Sequence, residues 1–169
     1  MIIAPHKAST RQPPPLQRAV MASDALIEGR FDGREHRLAM RVYFEDTDLS
    51  GVVYHANYLR FMERARSDML RLAGIDQRGA HEAGEGAYAV RDMGIRWLAP
   101  ARLDDVLVVV SRLMKIRAAA ALIHQRVMRG DTILAQADVE AAFVAPSGRP
   151  RRQPTDWITK FEPLLWKGN

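Results

Sequence analysis

The sequence predicts an α+β domain in which one long helix lies across a single antiparallel sheet. Three observations predict it: one run of alternating apolar residues, then a run with helical spacing, then four strand-like runs joined by short connections. No internal repeat and no Gly-rich phosphate loop breaks this order.

In the first run, Leu38, Met40, Val42 and Phe44 fall on one face of a strand, with Arg41, Tyr43 and Glu45 on the other. It leads into Asp46-Thr47-Asp48-Leu49-Ser50-Gly51, a cluster of turn formers in which Gly51 can take backbone angles closed to other residues. Next, Tyr58, Phe61, Met62, Ala65, Met69 and Leu72 recur at spacings of three and four. This stripe predicts a helix from about Asn57 to Ala73, capped by Gly74. Four strands are expected near Tyr88 to Leu98, Val106 to Lys115, Ala119 to Arg129 and Thr132 to Ala145, which makes a sheet of five. Val106 to Val110 is continuously apolar, as in a strand covered on both faces. Ala137, Val139, Ala141 and Phe143 alternate with Gln136, Asp138, Glu140 and Ala142, and Gly130-Asp131 marks a hairpin turn.

Both flanks read differently. Residues 1-36, with Pro13, Pro14 and Pro15, show no sustained period and are expected to be a disordered or loosely attached extension; a helical turn around 16-27 is compatible with their composition. The folded domain is expected over 37-148. Residues 149-169 read as a basic tail, with Arg149, Arg151, Arg152, Lys160 and Lys167 opposed by Asp156 and Glu162.

Composition bounds the chemistry. A chain of 169 residues with 47% hydrophobic content suits one core. The lack of cysteine excludes a disulfide framework, a thiolate zinc site and a cysteine nucleophile, so the chemistry rests on oxygen and nitrogen; no metal site is expected. The net charge of +5 raises the question of nucleic acid, but the aromatics do not interleave with Lys and Arg as a base-stacking surface requires, and no nucleic-acid partner is expected. The basic tail suits solvation or an anionic partner such as a lipid headgroup. No segment approaches the roughly 18 to 20 consecutive apolar residues that span a bilayer, and the N-terminus lacks the apolar run of a secretory signal, so a cytoplasmic location is expected.

The densest polar segment runs from Arg41 to Tyr58 and holds three carboxylates, a histidine and several tyrosines around a turn and a helix start. Asp46 and Asp48 serve equally well as turn caps, and His55 as a helix cap. The chemical reading is that Asp48, on the loop between strand and helix, projects toward a substrate. The unpaired N–H groups at the following helix start, near His55, would then receive an oxyanion.

The run RVYFEDTDLSGVVYHANYLRFMERAR, from Arg41 to Arg66, resembles the signature of the Tol-Pal-associated (YbgC-like) acyl-CoA thioesterases, within the 4-hydroxybenzoyl-CoA thioesterase family. The run VRDMGIRWLAPARLDD, from Val90 to Asp105, is similar to that family's next strand and turn, and the resemblance covers roughly residues 38 to 150. It implies a hotdog fold, a sheet wrapped around one long central helix, and hydrolysis of acyl-CoA with no cofactor beyond the CoA of the substrate. Asp48 matches the catalytic carboxylate, acting as nucleophile or as general base on water. His55 matches the helix-start residue whose N–H polarises the carbonyl, and Gly51, Val53, Tyr54 and Tyr58 are the expected substrate-binding positions.

Glu63 and Arg66 match a Glu-x-Ala-Arg pattern and are expected to form a structural ion pair. Where many relatives carry tyrosine, this chain has Phe44, and the hydroxyl there is absent. The resemblance further implies a homo-oligomer, dimer or tetramer, whose sheets join edge to edge with an active site at each boundary. Lys115 and Arg117, or Arg149 to Arg152, are candidate holders of the CoA phosphates. Tyr58, Met62 and Trp97 are candidates to line the acyl pocket and serve equally as core. A non-catalytic acyl-CoA or lipid-binding partner of a membrane-associated or lipid-synthesis complex, and a dehydratase acting on hydroxyacyl thioesters, are the competing readings.

Overall fold

A computed structural model of the chain describes residues 28-168. The extension through residue 27, including the helical turn considered around 16-27, lies outside the described residues.

The sheet has six strands rather than the expected five, all antiparallel: β1 (Arg30–Asp32), β2 (Glu35–Arg41), β3 (Ala87–Trp97), β4 (Val106–Arg117), β5 (Ala120–Arg129) and β6 (Thr132–Val144). Their order across the sheet is β1-β2-β4-β5-β6-β3. The additional strand, β1, pairs with the start of β2 within the segment assigned to the extension. Three residues are too few to show an alternating period, which is why the hairpin was not visible in the sequence. The first long strand also sits earlier than expected, because Phe44–Asp46 turns into a 3-10 helix and Phe44 is exposed instead of facing the core. The later strands fall within two residues of their expected bounds.

Helix α1 (Asn57–Leu72) packs on the sheet through its apolar stripe. Tyr58, Phe61, Met62 and Ala65 join Leu38, Val109, Val127 and Val139 in one core cluster. Full burial of each large side chain is worth about 1.5 to 3 kcal/mol. Leu72, counted in the stripe, is instead part-exposed. Gly74 ends α1 at φ 74°, where its N–H bonds the Arg71 carbonyl and that of Ile75 reaches back to Leu70.

A second cluster surrounds the C-terminal half of α1 and includes Met69, Leu70, Ile75, Leu113, Phe143, Trp157 and Phe161. Ala80 of the short α2 (Gln77–Glu82) also joins it. The last two aromatics of that cluster belong to α3 (Thr155–Phe161), so the segment expected to be a basic tail closes the core at this end. Its arginines masked an apolar pair at helical spacing. Gln153, buried just before α3, donates to the Arg117 and Ala120 carbonyls and accepts from the Tyr88 hydroxyl. Beyond α3, Leu165 pairs with Leu113, and the Trp166 N–H bonds the Leu113 carbonyl at 2.8 Å. Among the described residues, no helix is long and apolar enough to cross a membrane.

Between the two clusters lies a buried polar link. Arg66 donates to Gln125 at 2.6 Å, and Gln125 donates to Ser111 Oγ at 2.9 Å and to the Met62 carbonyl at 3.0 Å. Glu63 meets the other side of the Arg66 guanidinium at 2.5 Å, the ion pair expected from the sequence.

Candidate active site

The three carboxylates of the Arg41 to Tyr58 segment take different places. Glu45 is exposed, and Asp46 is buried. The Asp46 carboxylate accepts the Tyr43 N–H at 2.9 Å, while its carbonyl accepts the Tyr54 N–H and the Asn57 side-chain amide, both at 2.9 Å. Asp46 is therefore the residue that folds the loop onto the helix start. Asp48 is left to face solvent.

Asp48 Oδ1 accepts the Ser50 N–H at 2.8 Å and the Ser50 hydroxyl at 2.5 Å, and the Asp48 carbonyl accepts the Gly51 N–H at 3.0 Å. Gly51 sits at φ 74°, a backbone angle that suits glycine. Oδ2 makes no hydrogen bond among the described residues. The Ser50 hydroxyl, then its N–H, holds the carboxyl below the usual carboxylate range against a weak opposing effect of burial, and the nearby His55 acts in the same direction. The group is ionised at neutral pH and fixed by one oxygen only. The cap reading of Asp48 holds for Oδ1 alone.

His55 lies two residues before α1 and does not cap it; the N-cap position is Ala56, which makes no side-chain bond. Neither the His55 nor the Ala56 N–H donates to another described residue, so both remain free for a ligand. The His55 carbonyl accepts the Trp97 indole N–H at 3.1 Å, and the two rings meet edge to face at 5.7 Å. Tyr54, exposed, also lies against the imidazole, with the ring centroids 4.4 Å apart. Val53 is buried, with its N–H on the Ala101 carbonyl at 2.8 Å. Tyr58 is buried too, and its hydroxyl accepts the Ala101 N–H at 2.9 Å. Burial raises its ionisation above the usual phenol range, so it acts as a neutral wall and not as an acid or base.

Val53, His55, Tyr58, Trp97, Leu98, Ala99 and Pro100 line one cleft of about 300 Å³. The structure thus gathers Val53, His55 and Tyr58 at the cleft, puts Asp48 and Gly51 on the loop beside it, and sets Met62 in the core. Trp97, a candidate for the acyl pocket, lines the cleft, whereas Ser50 and the 98-100 turn were not among the expected site residues. Nothing in a strand pattern tells an aromatic at a strand end from core. Among the described residues, no three His, Asp or Glu side chains come together to hold a metal ion.

Residues 50–136 match the model of the thioesterase superfamily. The acyl-CoA thioester hydrolase YbgC of Escherichia coli O157:H7 is 40% identical over 128 residues, which cover 75% of this chain and 95% of that protein. The chain belongs to the thioesterase superfamily. The acyl-CoA thioesterase YbgC of Haemophilus influenzae is 42% identical over 105 residues, 62% of this chain and 77% of its own length. The crystal structure of a probable thioesterase from Bartonella henselae superposes with a TM-score of 0.67 at 38% identity, over 71% of this chain and 99% of the other. The superfamily match begins at Ser50, so the Asp48 carboxylate stands just outside it and its role rests on the local geometry.

Proposed function

We propose that the protein hydrolyses acyl-CoA thioesters to a carboxylic acid and CoA, with Asp48 as the attacking group or as the base for water and with no separate cofactor. The observation that carries this reading is the pairing of an ionised carboxylate, free at Oδ2, with unoccupied N–H groups at His55 and Ala56, on a loop beside an apolar cleft. As nucleophile, Asp48 adds to the thioester carbon, expels the CoA thiolate and leaves a mixed anhydride that water cleaves. As base, it takes a proton from water while the hydroxide adds and the thiolate departs. In both routes the carbonyl oxygen gains charge facing the helix N-terminus.

The reading includes a homo-oligomer. Among the described residues, strand β3 bonds only β6, so its other edge is open there along eleven residues, an arrangement that invites pairing with a second copy. Lys115, Arg117 and Arg152, the candidate phosphate holders, line one cleft with Met114, Ile116 and Leu165. That cleft lies at the far end of β4 from the Asp48 loop, roughly 35 Å along a strand that begins beside Arg41. Antiparallel pairing of two β3 edges sets the Ala87 end of one protomer beside the Trp97 end of the other. This supports phosphates held by one protomer and a thioester cleaved by its partner.

The test is release of free thiol from a panel of acyl-CoAs. Turnover is expected, with Lys115→Gln/Arg152→Gln raising KM by about tenfold or more at little change in kcat. Binding of acyl-CoA with no turnover at any chain length would replace this reading with that of a non-catalytic binder.

A further inference from the structure

The sheet face opposite α1 carries a cluster that the Asp48 loop does not use. Leu38, Val109 and Val127 face α1, so their neighbours Arg37, Val110 and Arg126, which are in register across β2, β4 and β5, face the other way. Glu35 and Arg112, the next register pair, share that outer face.

Glu35 Oε1 accepts Arg112 Nε at 2.6 Å and Arg126 Nη2 at 3.0 Å, and Oε2 meets Arg37 Nη1 at 3.4 Å. Among the described residues, Glu35 is the one carboxylate within salt-bridge distance of these three guanidinium groups, so two positive charges stay uncompensated. The three arginine side chains are 22 to 32% exposed, enough to reach a ligand yet too buried for water to screen them fully. Trp166 stacks on Arg112, with its ring centroid 3.9 Å from Cζ, and fixes that guanidinium from the side of the C-terminal strap.

The cluster costs stability as it stands. Arg126 Nε is buried without an acceptor. Burial, and then repulsion from Arg112, lowers the ionisation of Arg126, with Glu35 opposing and Arg37 adding to the effect. Crowded guanidinium groups around one shared carboxylate oxygen match the planar, multidentate recognition of phosphate oxygens.

We propose that Arg37, Arg112 and Arg126, gathered by Glu35, form a second binding site, separate from the Asp48 loop, for a phosphate monoester dianion. The phosphate can be free, on a nucleotide or on a lipid headgroup, and these sources share the chemistry the site recognises. Glu35 spaces the arginines and competes with the ligand for their donors.

The test titrates inorganic phosphate, adenosine 3′-phosphate and vesicles containing phosphatidic acid, with phosphatidylcholine vesicles as control, against the wild-type chain while following the Arg126 Nε–H resonance. Arg37 makes the longest contact with Glu35, so Arg37→Gln is the variant least prone to misfold. Movement of the Arg126 resonance is expected in at least one arm, with affinity in that arm at least about tenfold weaker in Arg37→Gln. Glu35→Gln is expected to tighten binding, and Arg152→Gln to leave the Arg126 response in place. The arm that depends on Arg37 identifies the source of the phosphate. Equal affinity in wild type and Arg37→Gln in every arm, or no movement of the resonance at millimolar ligand, overturns the proposal.

Discussion

The two ends of helix α1 are built to opposite designs. At the C-terminal end, Gly74 and Ile75 close the helix with backbone bonds, and α3 covers it with Trp157 and Phe161. Here too His36, fully buried on β2, meets Asp68 of α1 at 2.8 Å, and the Gly29 N–H joins the same carboxylate oxygen at 2.9 Å. At the N-terminal end, Tyr43, Phe44, Leu49, Tyr54, Trp97 and Leu98 all stand exposed around the Asp48 loop, Phe44 at 81%. Exposed apolar side chains gathered around one loop are a mark of interaction sites. One end holds the fold together, while the other leaves apolar side chains uncovered, as the proposed substrate and second copy require.

The contrast is broken most strongly at the closed end. Trp157→Ala is expected to destabilise the domain by about 3 to 5 kcal/mol, since it empties a site packed by Tyr88 and Phe143. Urea unfolding checks this, and a loss under about 1 kcal/mol would show that α3 is an appendage after all.

How much of this was legible follows the same division. The α1 stripe and the long strands announced themselves because period and length agree there over ten or more residues. Trp157 and Phe161 carry a helical spacing as well, but over one turn, among arginines that dominated the reading. The loop was legible in its residue types and not in their division of labour. That Asp46 folds the loop while Asp48 faces outward depends on a bond to Asn57 eleven residues away, which no local pattern encodes. The outer-face arginines were invisible as a group because Glu35, Arg112 and Arg126 lie far apart in the chain.

A smaller, directional effect concerns pH at the closed end. Burial holds the ionisation of His36 below the usual imidazole range, against the hydrogen bond and charge of Asp68. The native state therefore keeps this imidazole neutral where the unfolded chain takes up a proton, and stability falls as pH drops through about 6.5 and below. Urea midpoints between neutral and mildly acid pH should decline in the wild type and decline less steeply in His36→Gln. An unchanged slope in the variant would remove His36 from the account.

The smallest stability effect belongs to the open end. Leu49→Ser should leave the free energy of unfolding within about 0.5 kcal/mol of wild type, because Leu49 is wholly exposed. The same change should reduce self-association in analytical ultracentrifugation. A large loss of stability with association intact would reverse the contrast between the two ends.

Asp48 is proposed to drive the attack on the thioester carbonyl, as nucleophile or as base for water. Steady-state release of free thiol from the best acyl-CoA substrate, compared between wild type, Asp48→Asn and Asp48→Ala, tests it most directly. The account predicts a fall in kcat of about a hundredfold or more in both variants with unfolding midpoints close to wild type. Undiminished turnover in both would contradict it.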